Sequence, residues 1–181
     1  MKIEQKKNNN KITLDFKDGG INYTLNDETI NKTEFIPYED IENSSYELYE
    51  SNKYHKNNAI YLGVVGVIFL LINIFYGMRL WAWLFLMASP IFFILYKRSK
   101  TNFKVINVDE KMDIYLIKDQ KLDEINSLIY KNRNKYLKDS YYAINYDNDK
   151  NSEIGKFNWL KSLEVITERE FQVIKEEITD Y

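Results

Sequence analysis

One apolar stretch, from Ala59 to Tyr96, constrains the fold of this chain more than any other feature. Its only charged residue is Arg79, and Gly77-Met78-Arg79 divides it into two apolar runs. Each run is roughly 17 to 18 residues, or about 27 Å of helix, which is close to the about 30 Å hydrocarbon core of a bilayer. The alternative is a buried helix pair of a soluble protein, but adjacent uncharged runs of this length favour a transmembrane helical hairpin over residues 57–97.

The composition outside this stretch narrows the remaining classes. The chain has 181 residues, with 25 Lys+Arg against 27 Asp+Glu and no cysteine. The near-neutral balance gives no footprint for nucleic acid, and the absence of cysteine excludes disulfides and thiolate metal sites. The first 16 residues lack the apolar core of a signal peptide, so the first helix of the hairpin is expected to act as the membrane signal.

The segment before the apolar stretch predicts short antiparallel strands with one buried face. Residues 1–10 are polar and rich in Asn and Lys, which indicates a disordered lead-in. Apolar and polar residues alternate over residues 11–56, with Lys17-Asp18-Gly19-Gly20 as a tight turn. Further strands are predicted near Thr33–Ile36 and over Ile41–Tyr49. Residues 11–56 are therefore the expected first part of an antiparallel sheet domain.

The segment after the apolar stretch supplies two more predicted strands and a helix. The apolar face switches at Val105-Ile106 in the first of these strands, which suggests a β-bulge. The second strand carries the alternation of Met112, Ile114 and Leu116, and residues 121–142 have a helical period. Because three or four strands alone leave an open edge, we expect residues 11–56 and 98–144 to form one domain around the hairpin.

The C-terminal part predicts a linker and a small helical hairpin. Residues 145–152 read as a linker, and residues 153–181 contain two helical patterns. Thr167 and Glu170 have the spacing of a capping box, with Ile166 and Phe171 at the positions of a hydrophobic staple. Two such short helices leave apolar surface uncovered, which predicts an association surface. The predicted surface comprises Phe157, Trp159, Leu160, Leu163, Ile166, Phe171 and Ile174.

Two passages resemble known bacterial modules. The run Phe35-Ile36-Pro37-Tyr38-Glu39-Asp40-Ile41 resembles a passage of bacterial PH-like domains, some of which carry a transmembrane hairpin inside the sheet. The run Trp159–Phe171 is similar to the C-terminal SHOCT domain, an oligomerisation or interaction element, although Glu164-Val165 stand where that family usually has glycine. The resemblance implies an α+β membrane protein with an antiparallel PH-like sheet and a C-terminal helix, split by a transmembrane hairpin and followed by a small helical hairpin.

Catalytic and metal-binding patterns are scarce. The only histidine, His55, has no neighbours in sequence that would make it a base or a ligand. The run Asp147–Asn151 imitates the start of an EF-hand loop, but Ser152 and Asn158 replace its required glycine and glutamate. We therefore expect no enzyme activity, cofactor or metal. The turn Lys17–Gly20 balances one cation with one anion, so it gives no preference for lipid phosphates.

Within the apolar stretch, small and polar residues predict helix packing. Gly63 and Gly66 permit close approach, and Asn73 has Ser89 or a neighbouring chain as candidate partners. Pro90 predicts a kink in the second helix. No buried charge marks an ion path, which argues against a transporter. The predicted interfacial aromatic residues are Tyr61, Tyr76, Trp81, Trp83 and Tyr96.

The flanking charges predict the orientation of the hairpin. Lys53 and Lys56 precede it, and Lys97, Arg98, Lys100 and Lys104 follow it, so both termini are expected on the cytoplasmic side of a bacterial inner membrane. The leading hypothesis is a non-enzymatic, membrane-anchored interaction or scaffold module. Its predicted partners are the lipid bilayer and either a second copy or another protein bound through the C-terminal helices. The rival hypothesis is a small membrane-perturbing effector or a subunit of an oligomeric pore.

Overall fold

Two compact units make up the chain. The computed structural model describes residues 1–27, 30–77 and 82–180. One unit combines both flanks, Met1–Glu47 with Phe103–Tyr181, and is called the sheet unit below. The other unit is Leu48–Asn102, called the helix-pair unit. The described residues form an α+β structure with two antiparallel sheets and five α-helices.

The first sheet is a four-stranded antiparallel meander. Its strands, in spatial order, are β1 (Lys2–Lys7), β2 (Asn10–Phe16), β3 (Gly20–Asn26) and β4 (Asn31–Pro37). Alternate residues of β2 and β3 are buried, as the period of two predicts. The tight turn predicted at Lys17–Gly20 is confirmed, because the Lys17 N–H donates to the Gly20 carbonyl at 2.8 Å.

Strand β1 corrects the prediction of a disordered lead-in over residues 1–10. It pairs with β2 along its length, from Lys2 opposite Asp15 to Lys7 opposite Asn10. The connection is a two-residue loop in which Asn8 has a φ of 53°, a conformation that asparagine tolerates better than most residues. The Asn/Lys-rich composition therefore marks a hairpin turn and an edge strand, for which polar residues are typical.

The second sheet contains three strands. They are β5 (Ile41–Glu50), β6 (Thr101–Val108) and β7 (Ile114–Ile117), in that spatial order. The prediction that β5 continues the first meander is wrong, because the chain leaves that sheet at Pro37 and a 3-10 helix, Tyr38–Asp40, intervenes. No bulge interrupts the pairing of β6 with β7, which runs from Phe103 opposite Ile117 to Ile106 opposite Ile114. Val105 and Ile106 are both fully buried because both faces of β6 are covered.

Three helices complete the sheet unit. They are α3 (Leu122–Tyr141), α4 (Lys150–Ser162) and α5 (Glu168–Asp180). The predicted linker over residues 145–152 is too long, since Asp149 caps α4 by accepting hydrogen bonds from the backbone of Asn151 and Ser152. The Asp/Asn-rich run is thus a helix start, and α4 and α5 share a core cluster with Leu137 of α3.

The helix-pair unit consists of α1 (Lys53–Tyr76) and α2 (Ala82–Arg98). Helix α1 ends where the sequence predicts, because Gly77 adopts the left-handed conformation at its C-cap with a φ of 65°. The sequence placed Arg79 in the turn and Trp81 in an aromatic belt, and both residues lie outside the described ranges. The described part of α2 has 17 residues. A second membrane span, formed by α2, therefore remains a prediction.

Candidate functional site: the exposed helix pair and the polar joints of the sheet unit

Large apolar side chains of α1 and α2 are exposed rather than buried. Ile74 is 67% exposed and Met87 is 68% exposed, and many of their neighbours are similar. Helix α1 has the length and apolar composition of a membrane span, and it is the one such helix within the described residues. A core helix of a soluble domain would bury this surface instead. The pair therefore presents an apolar exterior to its surroundings.

Small residues of α1 set the contact between the two helices. A methyl group added at Gly66 would meet Leu86, because its carbon would lie 2.8 Å from the nearest carbon of that side chain. One turn earlier, Gly63 faces Ser89, whose hydroxyl donates to the Ala59 carbonyl at 2.7 Å. These residues lie where the sequence analysis predicted packing, and the backbone approach at Gly66 leaves room for hydrogen only.

The predicted contact between Asn73 and Ser89 is not formed. Ser89 is level with Gly63, and Asn73 lies ten residues further along α1, or about 15 Å of helix. The Ser89 hydroxyl instead donates to the Ala59 carbonyl.

Helix α2 continues through Pro90, which is tolerated inside apolar helices.

Hydrogen bonds hold the start of α1 next to the end of α2. The Asn52 side chain caps α1 by accepting from the His55 N–H at 3.3 Å. The Asn52 N–H in turn donates to the Ser99 hydroxyl at 3.0 Å, and that hydroxyl donates to the Tyr96 carbonyl. One end of the pair is therefore a closed polar junction.

His55 lies at this junction without a catalytic partner. Its ring packs near Tyr54 and Phe92, with centroid distances of 5.8 and 6.1 Å. Its Nδ1 atom is buried and accepts no hydrogen bond. Within residues 1–27, 30–77 and 82–180, no three His, Cys, Asp or Glu side chains converge to hold a metal ion.

The passage Pro37–Ile41 connects the two sheets with α3 inside the sheet unit. Tyr38 is buried and its hydroxyl donates to the Lys17 carbonyl at 3.3 Å. The Glu39 carboxylate accepts from the hydroxyls of Tyr136 and Tyr141 at 2.9 and 3.1 Å. The hydrogen bond to this carboxylate raises the pKa of Tyr136. The passage that carries the PH-like resemblance therefore has a structural role, because it links the first sheet to α3.

Arg133 is a buried charged residue that the sequence analysis did not identify. It interrupts the apolar stripe of α3, yet its side chain is fully buried and donates to the carbonyls of Ile41 and Leu163. The guanidinium also lies over the Tyr130 ring, 4.9 Å from its centroid. Burial lowers the pKa of Arg133 from its usual value. The sequence did carry a signal for this contact, because an arginine at a core position of an amphipathic helix indicates a buried guanidinium with hydrogen-bond partners.

Two side chains of the first sheet form hydrogen bonds with the backbone of β7 along its outer edge, the edge that does not pair with β6. The Gln5 amide accepts from the Ile117 N–H and donates to the Ile117 carbonyl, each at 3.0 Å. The Tyr23 hydroxyl does the same for Tyr115, accepting at 3.0 Å and donating at 3.2 Å. Ile117 and Tyr115 are two residues apart, so both present their backbone to the same edge. Side chains thus replace a further strand at this edge.

Most side chains of the predicted association surface are buried in the core of the sheet unit. Phe157, Leu160, Ile166, Phe171 and Ile174 are buried in one cluster that also contains Leu137 of α3. Trp159 and Leu163 are partly buried, and the Trp159 and Tyr141 rings pack nearly perpendicular to each other with centroids 5.3 Å apart. The prediction of an exposed apolar surface is therefore wrong for the five buried residues. Helix α3 extends far enough to cover them.

The turn between α4 and α5 has glutamate at a position of positive φ. Glu164 has a φ of 57°, and the N–H groups of Glu164 and Val165 donate to the carbonyls of Lys161 and Leu160. These are the hydrogen bonds of a Schellman motif with glutamate at the position that favours glycine. The predicted capping box is confirmed by reciprocal bonds between Thr167 and Glu170, at 2.6 and 3.2 Å.

Comparison of the chain with protein-family models, curated proteins and solved structures found no significant match. The PH-like and SHOCT resemblances therefore rest on the residues quoted above.

Proposed function

We propose that this chain is a non-enzymatic scaffold that holds its sheet unit at the cytoplasmic face of a bacterial inner membrane. The observation that carries the proposal is the exposed apolar exterior of α1 and α2. Covering a large apolar side chain stabilises it by about 1.5–3 kcal/mol relative to water. Exposed residues recur along both helices, so water is an unfavourable solvent for this unit and hydrocarbon a favourable one.

The two helices would cross the bilayer as a hairpin. Helix α1, with 24 residues, is about 36 Å long, and the described 17 residues of α2 are about 26 Å. Lys53 and Lys56 stand at the start of α1, and Lys97 and Arg98 at the end of α2. This placement of cations supports a two-pass topology with both termini in the cytoplasm.

The sheet unit would comprise a PH-like interaction domain and, at its C-terminal end, a SHOCT-like helical hairpin. Two antiparallel sheets followed by α3, and the capping box of α5, support this assignment. The C-terminal helices would contribute to the same body, because their apolar residues share a cluster with α3. Partner binding would then use the outer, polar surface of the sheet unit rather than the apolar face of α4 and α5.

Fractionation of the full chain tests the anchor. The wild type is expected in the membrane fraction after alkaline carbonate extraction. The matched control, with residues 57–96 replaced by a flexible linker, is expected in the soluble fraction. A wild type that is extracted like a peripheral protein would contradict the anchor.

Reporter fusions test the orientation, and proximity labelling tests the scaffold role. A fusion after the last residue is expected to report the cytoplasm, and an alkaline phosphatase signal there would contradict the proposed topology. A labelling enzyme at the same site is expected to enrich specific proteins over the same enzyme on an unrelated two-span anchor. Equal protein sets from both anchors would argue against a scaffold.

A further inference from the structure

Charge is strongly segregated along this chain. The segment from Ser51 to Val108 contains seven Lys and Arg residues and no Asp or Glu, whereas the rest of the chain has 18 Lys and Arg against 27 Asp and Glu. The acidic residues that bound the segment are Glu50 and Asp109. The near-neutral total therefore hides a basic segment that coincides with the helix pair and its ends.

Five of these cations gather at one end of the helix pair. Because Asn52 is hydrogen-bonded to Ser99, the start of α1 and the end of α2 are neighbours. All five side chains are exposed. We call this group the basic collar, and it consists of Lys53, Lys56, Lys97, Arg98 and Lys100.

Helix electrostatics explain only part of the basic collar. The partial negative charge at a helix C-terminus favours Lys97 and Arg98 at the end of α2. The same effect disfavours Lys53 and Lys56 at the start of α1, whose first turn has no acidic residue. A structural role in capping therefore does not account for the α1 lysines. An external anion near the start of α1 would offset this unfavourable charge.

The α2 side of the basic collar reaches back toward the apolar surface. The Lys97 ammonium lies 5.0 Å from the centroid of the Phe93 ring, and the Lys100 ammonium lies 5.2 Å from that of Tyr96. Both contacts are one helical turn nearer the apolar middle of α2 than the lysine's own backbone. The ammonium groups thus stand at the boundary between the polar and the apolar surface of the helix-pair unit. With the apolar surface in hydrocarbon, they would lie at the level of the lipid head groups.

We propose that the basic collar binds the head groups of anionic phospholipids in preference to zwitterionic ones. The proposal rests on the membrane anchor proposed above and adds the class of lipid. A cation near a membrane surface contributes roughly a fivefold preference for anionic lipid. Several cations act on the same lipid shell, and the acidic sheet unit has no comparable attraction for an anionic surface.

Spin-label spectroscopy of the full chain in phosphatidylcholine vesicles tests the lipid preference. Spin-labelled phosphatidylglycerol and phosphatidylcholine are compared by the fraction of each that the protein immobilises. The wild type is expected to prefer the anionic label about fivefold. The preference is expected to vanish between about 0.01 M and about 1 M salt, over which the Debye length falls from about 30 to about 3 Å. Equal immobilisation of both lipids at low salt would overturn the proposal.

Matched variants assign the preference to the basic collar. Replacing all five cations, Lys53, Lys56, Lys97, Arg98 and Lys100, with glutamine is expected to reduce the preference to about one. Replacing the four lysines with arginine is expected to retain it, which guards against misfolding as the cause. The control replaces four exposed lysines of the sheet unit with glutamine, namely Lys2, Lys6, Lys131 and Lys135, and should retain the wild-type preference. Equal losses in control and collar variants would overturn the proposal.

Flotation separates this inference from the proposed anchor. The wild type and all variants are expected to float with vesicles of pure phosphatidylcholine, because insertion depends on the apolar surface of the helices. A wild type that floats without lipid preference contradicts only the basic collar. A wild type that does not float with any vesicle contradicts the anchor, and the lipid preference with it.

Discussion

Replacing Gln5 with leucine is expected to destabilise the sheet unit strongly. The Gln5 side chain is buried and forms a hydrogen bond with both the N–H and the carbonyl of Ile117, and both of these bonds are buried. Leucine is similar in size but leaves the N–H of Ile117 without an acceptor, whereas the Ile117 carbonyl keeps the Asp119 N–H at 2.8 Å. An unsatisfied buried group costs about 1–3 kcal/mol and the second lost hydrogen bond about 0.5–1.5 kcal/mol, so the expected loss is about 2–4 kcal/mol.

Urea unfolding of the full chain in a mild detergent measures this loss. With a dependence of about 2 kcal/mol per molar urea, the midpoint should fall by about 1–2 M. Amide exchange gives a local measurement, because the Ile117 N–H loses its acceptor and should exchange faster. The control is Lys6→Ala, an exposed residue of the same strand, which should change the free energy of unfolding by less than about 0.5 kcal/mol.

Equal stability of the two variants would refute this reasoning. It would mean that residues 2–7 do not pair with β2 in solution and that the outer edge of β7 is satisfied in another way. The same result would restore the disordered lead-in that the composition of residues 1–10 suggests.

Three further predictions concern the other elements. Glu164→Gly should raise the free energy of unfolding by about 1 kcal/mol, because glycine adopts positive φ without strain; urea unfolding measures it, and a decrease would contradict the Schellman turn. Gly66→Leu should overpack the contact with Leu86 and weaken the helix pair by about 1–3 kcal/mol, read by thermal melting in detergent beside the exposed control Val67→Leu. Burial by itself raises the pKa of the Glu153 carboxyl. Hydrogen bonds from the Lys156 ammonium, the Asn148 side-chain amide and the Asn145 N–H outweigh burial, so the pKa of Glu153 is lowered from its usual value. Its stabilisation is therefore complete above about pH 4.3 and lost as the pH falls through the lowered value, so wild type should lose more stability than Glu153→Gln between about pH 5 and pH 3. Equal losses would contradict that contribution.

Local patterns predicted many elements of the fold correctly. Period-two alternation located β2 and β3, helical period located α3, and the capping box located the start of α5. These signals depend on neighbours within a few residues, so the sequence displays them directly. Strand β1 was missed because its polar composition is typical both of disorder and of an edge strand.

The candidate site was predicted in part. The apolar stretch showed α1 and the small residues at its contact with α2, because composition and spacing are local properties. The predicted association surface failed for a non-local reason. Its apolar residues were correctly recognised as needing cover, but the cover comes from α3 of the same chain. No local pattern distinguishes an intramolecular partner from an intermolecular one.

The sequence by itself determined which segments are apolar, where most strands and helices lie, and where charge is concentrated. Only the tertiary structure decided how distant groups are paired. Gln5 meets Ile117 across 112 positions of the chain, and Arg133 meets Ile41 across 92. The physical reason is that a buried backbone group must find a hydrogen-bond partner, yet it can accept any side chain of suitable geometry that folding brings near. The requirement is local, whereas its solution depends on the whole fold.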